Sequence, residues 1–342
     1  MDFYDYYHGE FNYSENYTYE ETVYKHEPTC LNEVLCATLV VVSVVILLLG
    51  FCGNALVIWI SGFKMKKTVN TTWYMSLAVS DLVFCAFLPF NVANMAMEEW
   101  IFGRFMCKFA SSIMFLNMFS SIFLLVVISV DRCVSVLFPV WAQNHRTVKM
   151  ASVVVFICWL LAIAMSFFSA IFREVHNHMG RTSCYNNYML HQHGHKIVAM
   201  SRFLAGFVVP FVVIVVCYSI IVLKLRTNRV IKSSKPFRVM SALVAAFFFC
   251  WLPYHVFIFL ELNHQNYDRD VLTAGLQLAV CVAAANSVLN PVLYVFMGND
   301  FKQKFKSSLL SKMENAMGEE GRTTSRYLSR SSSMDGRAST HI

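Results

Sequence analysis

The chain has 342 residues, 57% of them apolar and only 14% charged, where soluble proteins run at roughly 45 to 50% and about 25%. With 13 Gly and 7 Pro beside 30 Phe, collagen-like, low-complexity and disulfide-scaffold classes are excluded, and the apolar excess argues against an ordinary soluble enzyme. The formal charge of +7 is no nucleic-acid footprint, because the cations sit in the joints between long apolar blocks.

Residues 1–33 carry eight acids against Lys25 alone, a net charge of −7, with Tyr4, Tyr6, Tyr7, Tyr13, Tyr17, Tyr19 and Tyr24 interleaved. Such a composition buries no core and predicts a disordered tail. It is either a solubilising segment or an electrostatic bait for a basic protein, strengthened by tyrosine sulfation. The start, MDFYDYYHGE, has neither a basic n-region nor an apolar h-region, so no cleavable signal is expected and the first span acts as the insertion signal. Asn12 and Asn16 open glycosylation sequons.

Seven apolar blocks follow, near 34–61, 71–97, 105–138, 148–171, 197–223, 237–262 and 271–297. Each reaches the roughly 20 residues that a helix needs to cross a hydrocarbon core. No alternation of about ten residues recurs, which argues against a β-barrel. The expectation is an all-α membrane protein, a seven-transmembrane helix bundle over 34–298. Lys64, Lys66 and Lys67 after the first block, and Lys224, Arg226, Arg229, Lys232, Lys235 and Arg238 around the fifth joint, belong in the cytoplasm by the positive-inside rule. The acidic tail is then outside and the C-terminus inside. A third sequon at Asn70 falls on the cytoplasmic side and should stay unmodified. Over 299–311, Phe301, Phe305 and Leu309 share a face flanked by Lys302, Lys304 and Lys306, the pattern of a short amphipathic eighth helix lying on membrane lipids. Residues 312–342 form a Ser/Thr-rich tail, either an inert end or a phosphorylation platform.

Ionisable residues at membrane depth are costly and point to function. Asp81 lies mid-span, and Asn54, Asn117, Ser121, Asn286, Ser287 and Asn290 recur at helical spacing in other spans. Either these polar groups glue helices together, or they line a site for Na⁺ balanced by Asp81. Asp131-Arg132-Cys133 ends the third block, Phe247 to Tyr254 contains Trp251 and Pro253, and Asn290-Pro291-Val-Leu-Tyr294 closes the seventh. A proline inside a span removes one backbone hydrogen bond, so Pro253 and Pro291 are candidate pivots.

One signature falls on each block in order: Asn54 in GNALV, Leu77 to Asp81, Asp131-Arg132-Cys133, Trp159, Pro210 with Tyr218, CWLPY and NPVLY. Together with Cys107 they resemble the rhodopsin-like (class A) G-protein-coupled receptors over about residues 34–310. The strings FKMKKTVN, FMCK, DRCVSVLFPVWAQNHR, KPF and NPVLYVFMGNDFK look like the chemoattractant branch, chemerin-type chemokine-like receptors first and formyl-peptide and anaphylatoxin receptors next. The resemblance implies that Asp131 holds Arg132 at rest, that Trp251 and Phe247 relay ligand contact, and that Tyr218 and Tyr294 meet Arg132 when the inner face opens. It implies an outer Cys107–Cys184 bridge, a heterotrimeric Gi/o partner and a plasma-membrane location. Cys30 and Cys36 stay unassigned, and 263–270 offers no cysteine of the kind chemokine receptors pair there. Asn290 stands where many members carry Asp, which leaves Asp81 as the sole carboxylate of a sodium site. Ser166 to Ser169 lack the Pro that relatives often carry.

For the ligand, Arg173 and Arg202 are either interfacial anchors, paired with Glu174 or Glu261, or a cationic surface that captures a carboxylate through parallel hydrogen bonds. Met114, Phe115, Tyr254, His255, Phe259 and Leu276 would take apolar side chains. Such a pocket suits the C-terminus of a peptide or protein chemoattractant of the chemerin kind, with formyl peptides, anaphylatoxins and other peptide or lipid mediators as alternatives. Aminergic receptors carry Asp where Met114 and Phe115 stand, and formyl-peptide receptors pair a helix-3 Asp with the helix-5 Arg where Phe115 stands. Both departures argue against those ligands. His191, His193 and His195 read as a solvated outer loop or, less simply, a metal site. No catalytic pair is visible, so no enzyme and no cofactor beyond Na⁺ is expected. A transporter would show internal repeats, and none is seen.

Overall fold

The computed structural model describes residues 33–178, 180–187, 194–228 and 235–297, with residue 303. Expectations for Asn12 and Asn16, the rest of the acidic tail before 33, His191, His193, the amphipathic segment 299–311 apart from 303, and 312–342 lie outside the described residues.

Seven helical runs among the described residues are long and apolar enough to cross a membrane: Glu33–Lys64, Val69–Met97, Gly103–Leu137, Val148–Phe172, Gly194–Arg226, Val239–Glu261 and Arg269–Tyr294. They coincide with the seven apolar blocks. Large apolar side chains such as Phe156, Leu160 and Phe167 point outward, a liability in water and the expected surface in lipid.

Helix α1 (Glu33–Trp59) runs into a π-helical turn, Ile60–Lys64. Its Asn54 amide donates to the Gly50 carbonyl at 2.9 Å and to the Ser287 carbonyl at 2.8 Å, tying the first span to the seventh. Helix α2 (Val69–Met97) starts on a capping box made by Thr68 and Thr71 and contains Pro89, which offers the same scope for a kink as Pro253 and Pro291. Helix α3 (Gly103–Leu137) is the axle of the bundle, with buried residues on most of its circumference. A short helix α4 (Pro139–His145) begins on a proline at its first turn, where the missing N–H costs nothing.

Helix α5 (Val148–Phe172) buries only Ala151, Cys158, Ala162, Ser166 and Ser169, a stripe of small residues that lets its backbone approach α3 closely while bulky residues face lipid. Strands β1 (Arg173–His178) and β2 (Arg181–Asn186) form an antiparallel hairpin with Val175 opposite Cys184. Gly180 takes φ +81° in its turn, a region open to glycine. The sequence showed this segment only as a long outer loop.

The fifth span is α6 (Gly194–Phe203), a π-helical turn over Leu204–Val208, and α7 (Val209–Asn228). The turn lies just before Pro210, whose missing N–H interrupts regular bonding. Within it, a Cβ on Gly206 would come 2.9 Å from the Met118 methyl, so glycine permits the close approach to α3. Helices α8 (Lys235–Glu261) and α9 (Arg269–Met297) carry Pro253 and Pro291. The main core gathers Phe115, Met118, Phe119, Phe247, Trp251 and Tyr254 between α3 and α8.

Candidate functional site

At the Cys107 end of the bundle the hairpin is fixed to α3 by the Cys107–Cys184 disulfide. Glu174 on β1 accepts from Arg104 at 2.8 Å and Lys108 at 2.9 Å. These two donors hold its carboxyl down to about 2. Glu174 is therefore engaged by α3 cations. Cys36 also belongs to a disulfide, its partner lying outside the described residues.

Beneath the hairpin opens a cavity of about 870 Å³. Three of the anticipated ligand residues line it, Arg173, Glu261 and Leu276; so does His195, expected only as outer loop or metal ligand, and so do Asn91, Asn94, Arg269 and Gln277, which no sequence signal marked. Arg173 donates to the Ser111 hydroxyl at 2.7 Å. His195 belongs to the first turn of α6 rather than to a loop, and its Nε2 lies 3.5 Å from Glu261. Helix α6 begins before the apolar block does, because its first turns mix polar and apolar residues.

Arg202 departs from the expectation of a cationic floor or wall. It is 7% exposed and is not among the cavity's walls. Its guanidinium sits 3.6 Å from the centre of the Phe115 ring and donates to the Ser169 hydroxyl at 2.8 Å and the Tyr254 hydroxyl at 3.3 Å. A cation over an aromatic face with two polar acceptors is a satisfied buried charge. From it a stack of rings runs inward: Phe115 to Tyr254 at 5.9 Å, Tyr254 to Trp251 at 5.9 Å, and Trp251 to Phe247 at 6.1 Å. His255 packs against Phe203 and Phe207, and Phe259 meets Phe203 edge-on at 4.9 Å. Met114 is partly buried against the core. These anticipated apolar residues thus form a packed layer beside the cavity.

Midway along the bundle Asp81 is fully buried. It accepts from Asn117 at 2.8 Å, Ser287 at 3.1 Å and Asn290 at 2.7 Å. The Ser121 hydroxyl and the Asn286 carbonyl oxygen are buried without a hydrogen-bond partner among the described residues. Buried oxygens of this kind are the chemistry that a hard cation takes. Asn54 acts instead as the α1–α9 tie.

At the Arg132 end the expected Asp131–Arg132 pair is present as a long ionic contact, with Arg146 competing for the carboxylate. Asp131 lies only 3.8 Å from Arg132 Nε, beyond hydrogen-bond reach. Its two oxygens accept from Arg146 Nε at 2.7 Å and Nη2 at 2.9 Å. Arg132 and Arg146 both donate to Asn70 Oδ1. Asn70 was visible as a sequon and as the end of the string FKMKKTVN, and Arg146 as the end of another motif string; no local periodicity announces that three elements converge there. Tyr294 packs on Tyr74, ring centres 4.8 Å apart, and Tyr218 is half-buried against the core.

The sequence profile described as 7 transmembrane receptor (rhodopsin family) matches residues 53–294. Chemerin-like receptor 1 of Homo sapiens is 46% identical over 300 residues, 82% of this chain and 80% of that protein. The C3a anaphylatoxin chemotactic receptor of Oncorhynchus mykiss is 40% identical across 99% of this chain and 97% of its own length. Formyl peptide receptor-related sequence 6 of Mus musculus is 38% identical across 91% and 95%. These relatives are receptors, not enzymes. With seven helical runs long and apolar enough to cross a membrane and these relatives, the chain belongs to the rhodopsin family of seven-transmembrane receptors, as a multi-pass plasma-membrane chemoattractant receptor that couples a ligand to a G protein.

Proposed function

We propose that this receptor binds a chemerin-like protein, the C-terminus of which enters the 870 Å³ cavity and reaches Arg202. The Cys107 end then faces outside, and the Arg132 end faces the cytoplasm, where Lys66, Lys67, Lys224 and Arg226 favour that side. The carrying observation is the buried Arg202, resting on Phe115 and bonded to Ser169 and Tyr254 at the head of the ring stack to Phe247. A ligand carboxylate offers this guanidinium two charged acceptors in place of two neutral hydroxyls, a stronger pairing. Drawing Arg202 away removes the Tyr254 bond and loosens the ring packing on Trp251. Pro253, two residues on, lets α8 bend there, and Pro291 gives α9 the same freedom. The opened end admits a Gi/o protein, with Tyr218 and Tyr294 turning toward Arg132. Receptor kinases and arrestin act afterwards on the Ser/Thr-rich tail. Asp81 with Ser121 and Asn286 would hold Na⁺ at rest, supplying a positive charge beside the buried carboxylate.

A direct test compares a chemerin C-terminal peptide as free acid and as amide, on wild-type receptor and Arg202→Ala, by GDP release from reconstituted Gi. The free acid is expected to act on the wild type. Amidation and the substitution should each cost about a hundredfold in potency, in line with truncating one partner of a buried charged contact. Their combination should cost no more than either alone. Equal potency of acid and amide would remove carboxylate capture; response only to an anaphylatoxin peptide would move the ligand to that class.

A further inference from the structure

Four groups from three parts of the chain meet at the Arg132 end. Asn70 comes from the first turn of α2, Asp131 and Arg132 from the end of α3, and Arg146 from the joint between α4 and α5. Two guanidinium groups share one carboxylate and one amide oxygen, and the sharing is unequal. Arg146 grips both oxygens of Asp131 side-on, whereas Arg132 keeps one contact at 3.8 Å and the bond to Asn70. Arg132 Nε is buried with no hydrogen-bond partner among the described residues. The side chains of Asp131 and Arg132 are 12% and 14% exposed, so water compensates little.

From this geometry we infer that Arg146 is a positioning residue for signalling, which occupies Asp131 and leaves Arg132 weakly held and ready to leave its resting place. The inference rests on the reading of Arg132 as the residue that moves when the receptor opens. Its logic is competition. Moving Arg132 now breaks an amide contact and a long ionic one. Without Arg146, the Asp131 carboxylate turns to the neighbouring guanidinium, and the same movement must break a charge-assisted pair. A mere staple, fastening the α4–α5 joint to α3, makes a different prediction. Losing either partner of a staple harms coupling in the same direction. In competition the two partners oppose each other, because Asp131 restrains Arg132 and Arg146 draws Asp131 off.

The test measures GDP release from Gi with the chemerin C-terminal peptide, for wild type, Arg146→Ala, Asp131→Asn and the double variant at matched receptor amounts. Arg146→Ala should raise the half-maximal peptide concentration about tenfold, the worth of roughly one charge-assisted hydrogen bond. Asp131→Asn should lower it and raise ligand-free release, and the double variant should match Asp131→Asn. Arg146→Lys, which keeps the charge but loses the planar fork, should fall between Arg146→Ala and wild type. Unchanged or improved potency in Arg146→Ala, or losses of the same sign in Arg146→Ala and Asp131→Asn, would overturn the inference. A readout free of G protein separates it from the functional reading: spin labels at Lys66→Cys, on the joint before α2, and Lys235→Cys, at the start of the α8 helix that bends, in a chain with Cys52→Ser. Arg146→Ala should shift their distance distribution toward the shorter, closed population, and Asp131→Asn toward the longer one. If the peptide fails on wild type while these shifts appear, the ligand assignment falls and Arg146 keeps its role; if the shifts are absent or share one sign, the role falls.

Discussion

Each end of the bundle sets two cations on one carboxylate, yet the two ends hold that carboxylate differently. At the Cys107 end, one carboxylate, Glu174, is surrounded by two cations and stands beside a disulfide. At the Arg132 end two guanidinium groups again meet one carboxylate, Asp131, but unequally, Arg146 at 2.7 Å and Arg132 at 3.8 Å, with Asn70 as a second acceptor and no covalent tie among the described residues. The first arrangement keeps a wide cavity in one shape. The second gives Arg132 and Arg146 two acceptors to share, Asp131 and Asn70, the kind of exchangeable pairing that a bistable element uses. On the proposed reading, ligand binding draws on the rigidity of the first end and signalling on the exchangeable partners of the second.

The comparison breaks first at the disulfide. Cys107→Ser frees the hairpin from α3 and removes Glu174 from its cations. Loss of a native disulfide costs typically 2 to 5 kcal/mol, and the expectation is that labelled peptide binding falls more than a hundredfold. Binding that survives in surface-expressed receptor would mean that the hairpin does not shape the cavity.

Next in size is the packing of α8 against α9 near the cavity of the Cys107 end. A Cβ on Gly275 of α9 would lie 1.9 Å from the Phe257 ring of α8, a rigid neighbour with no flexible tip to yield. Gly275→Ala forces α8 and α9 apart, at a cost of about 1 to 3 kcal/mol from overpacking. The melting temperature of detergent-solubilised receptor should drop by several degrees. An unchanged melting curve would show that the α8–α9 contact is looser than its geometry.

Ser169→Ala sharpens the contrast within the ligand end itself. It removes one of the two hydroxyls that orient Arg202, so the guanidinium is less well placed for a carboxylate. Potency should fall about threefold to tenfold, less than for Arg202→Ala, because preorganisation is lost rather than the charge. A loss equal to that of Arg202→Ala would make Ser169 a ligand contact in its own right.

Sequence served these two ends unequally. The spans were legible because lipid demands about 20 apolar residues of every helix that crosses it, and each block coincides with a helix to within a few residues. Asp81 and its amide partners were legible for the same reason, since a carboxylate in an apolar run stands out. Arg146 and Ser169 were not. Each lies far along the chain from the residue it serves, 15 residues from Asp131 and 33 from Arg202, and becomes its partner only through tertiary packing. The hairpin was hidden too, because its register depends on the Cys107 tie and on Gly180 rather than on an apolar alternation. Burial of Arg202 was missed because a charged residue near a span end ordinarily snorkels outward; Phe115 and Ser169 make the inward position tolerable.

The smallest effect concerns pH. Glu174 is held near 2 in the folded receptor, below its ordinary 4.5, by hydrogen bonds from Arg104 and Lys108. A depressed carboxyl contributes stability that is fully present above the unfolded value and disappears as pH falls through the folded one. The contribution is therefore flat from about 5 upward and fades between about 4.5 and 2. Arg104 is largely exposed, so screening keeps the effect small. Melting of solubilised wild type and Glu174→Gln from pH 3 to 7 should give two curves separated by a constant small gap at neutral pH that narrows in acid. A gap that widens as pH falls would mean that Glu174 is not fastened to α3 by these cations, and the rigidity assigned to the Cys107 end would then rest on the disulfide alone.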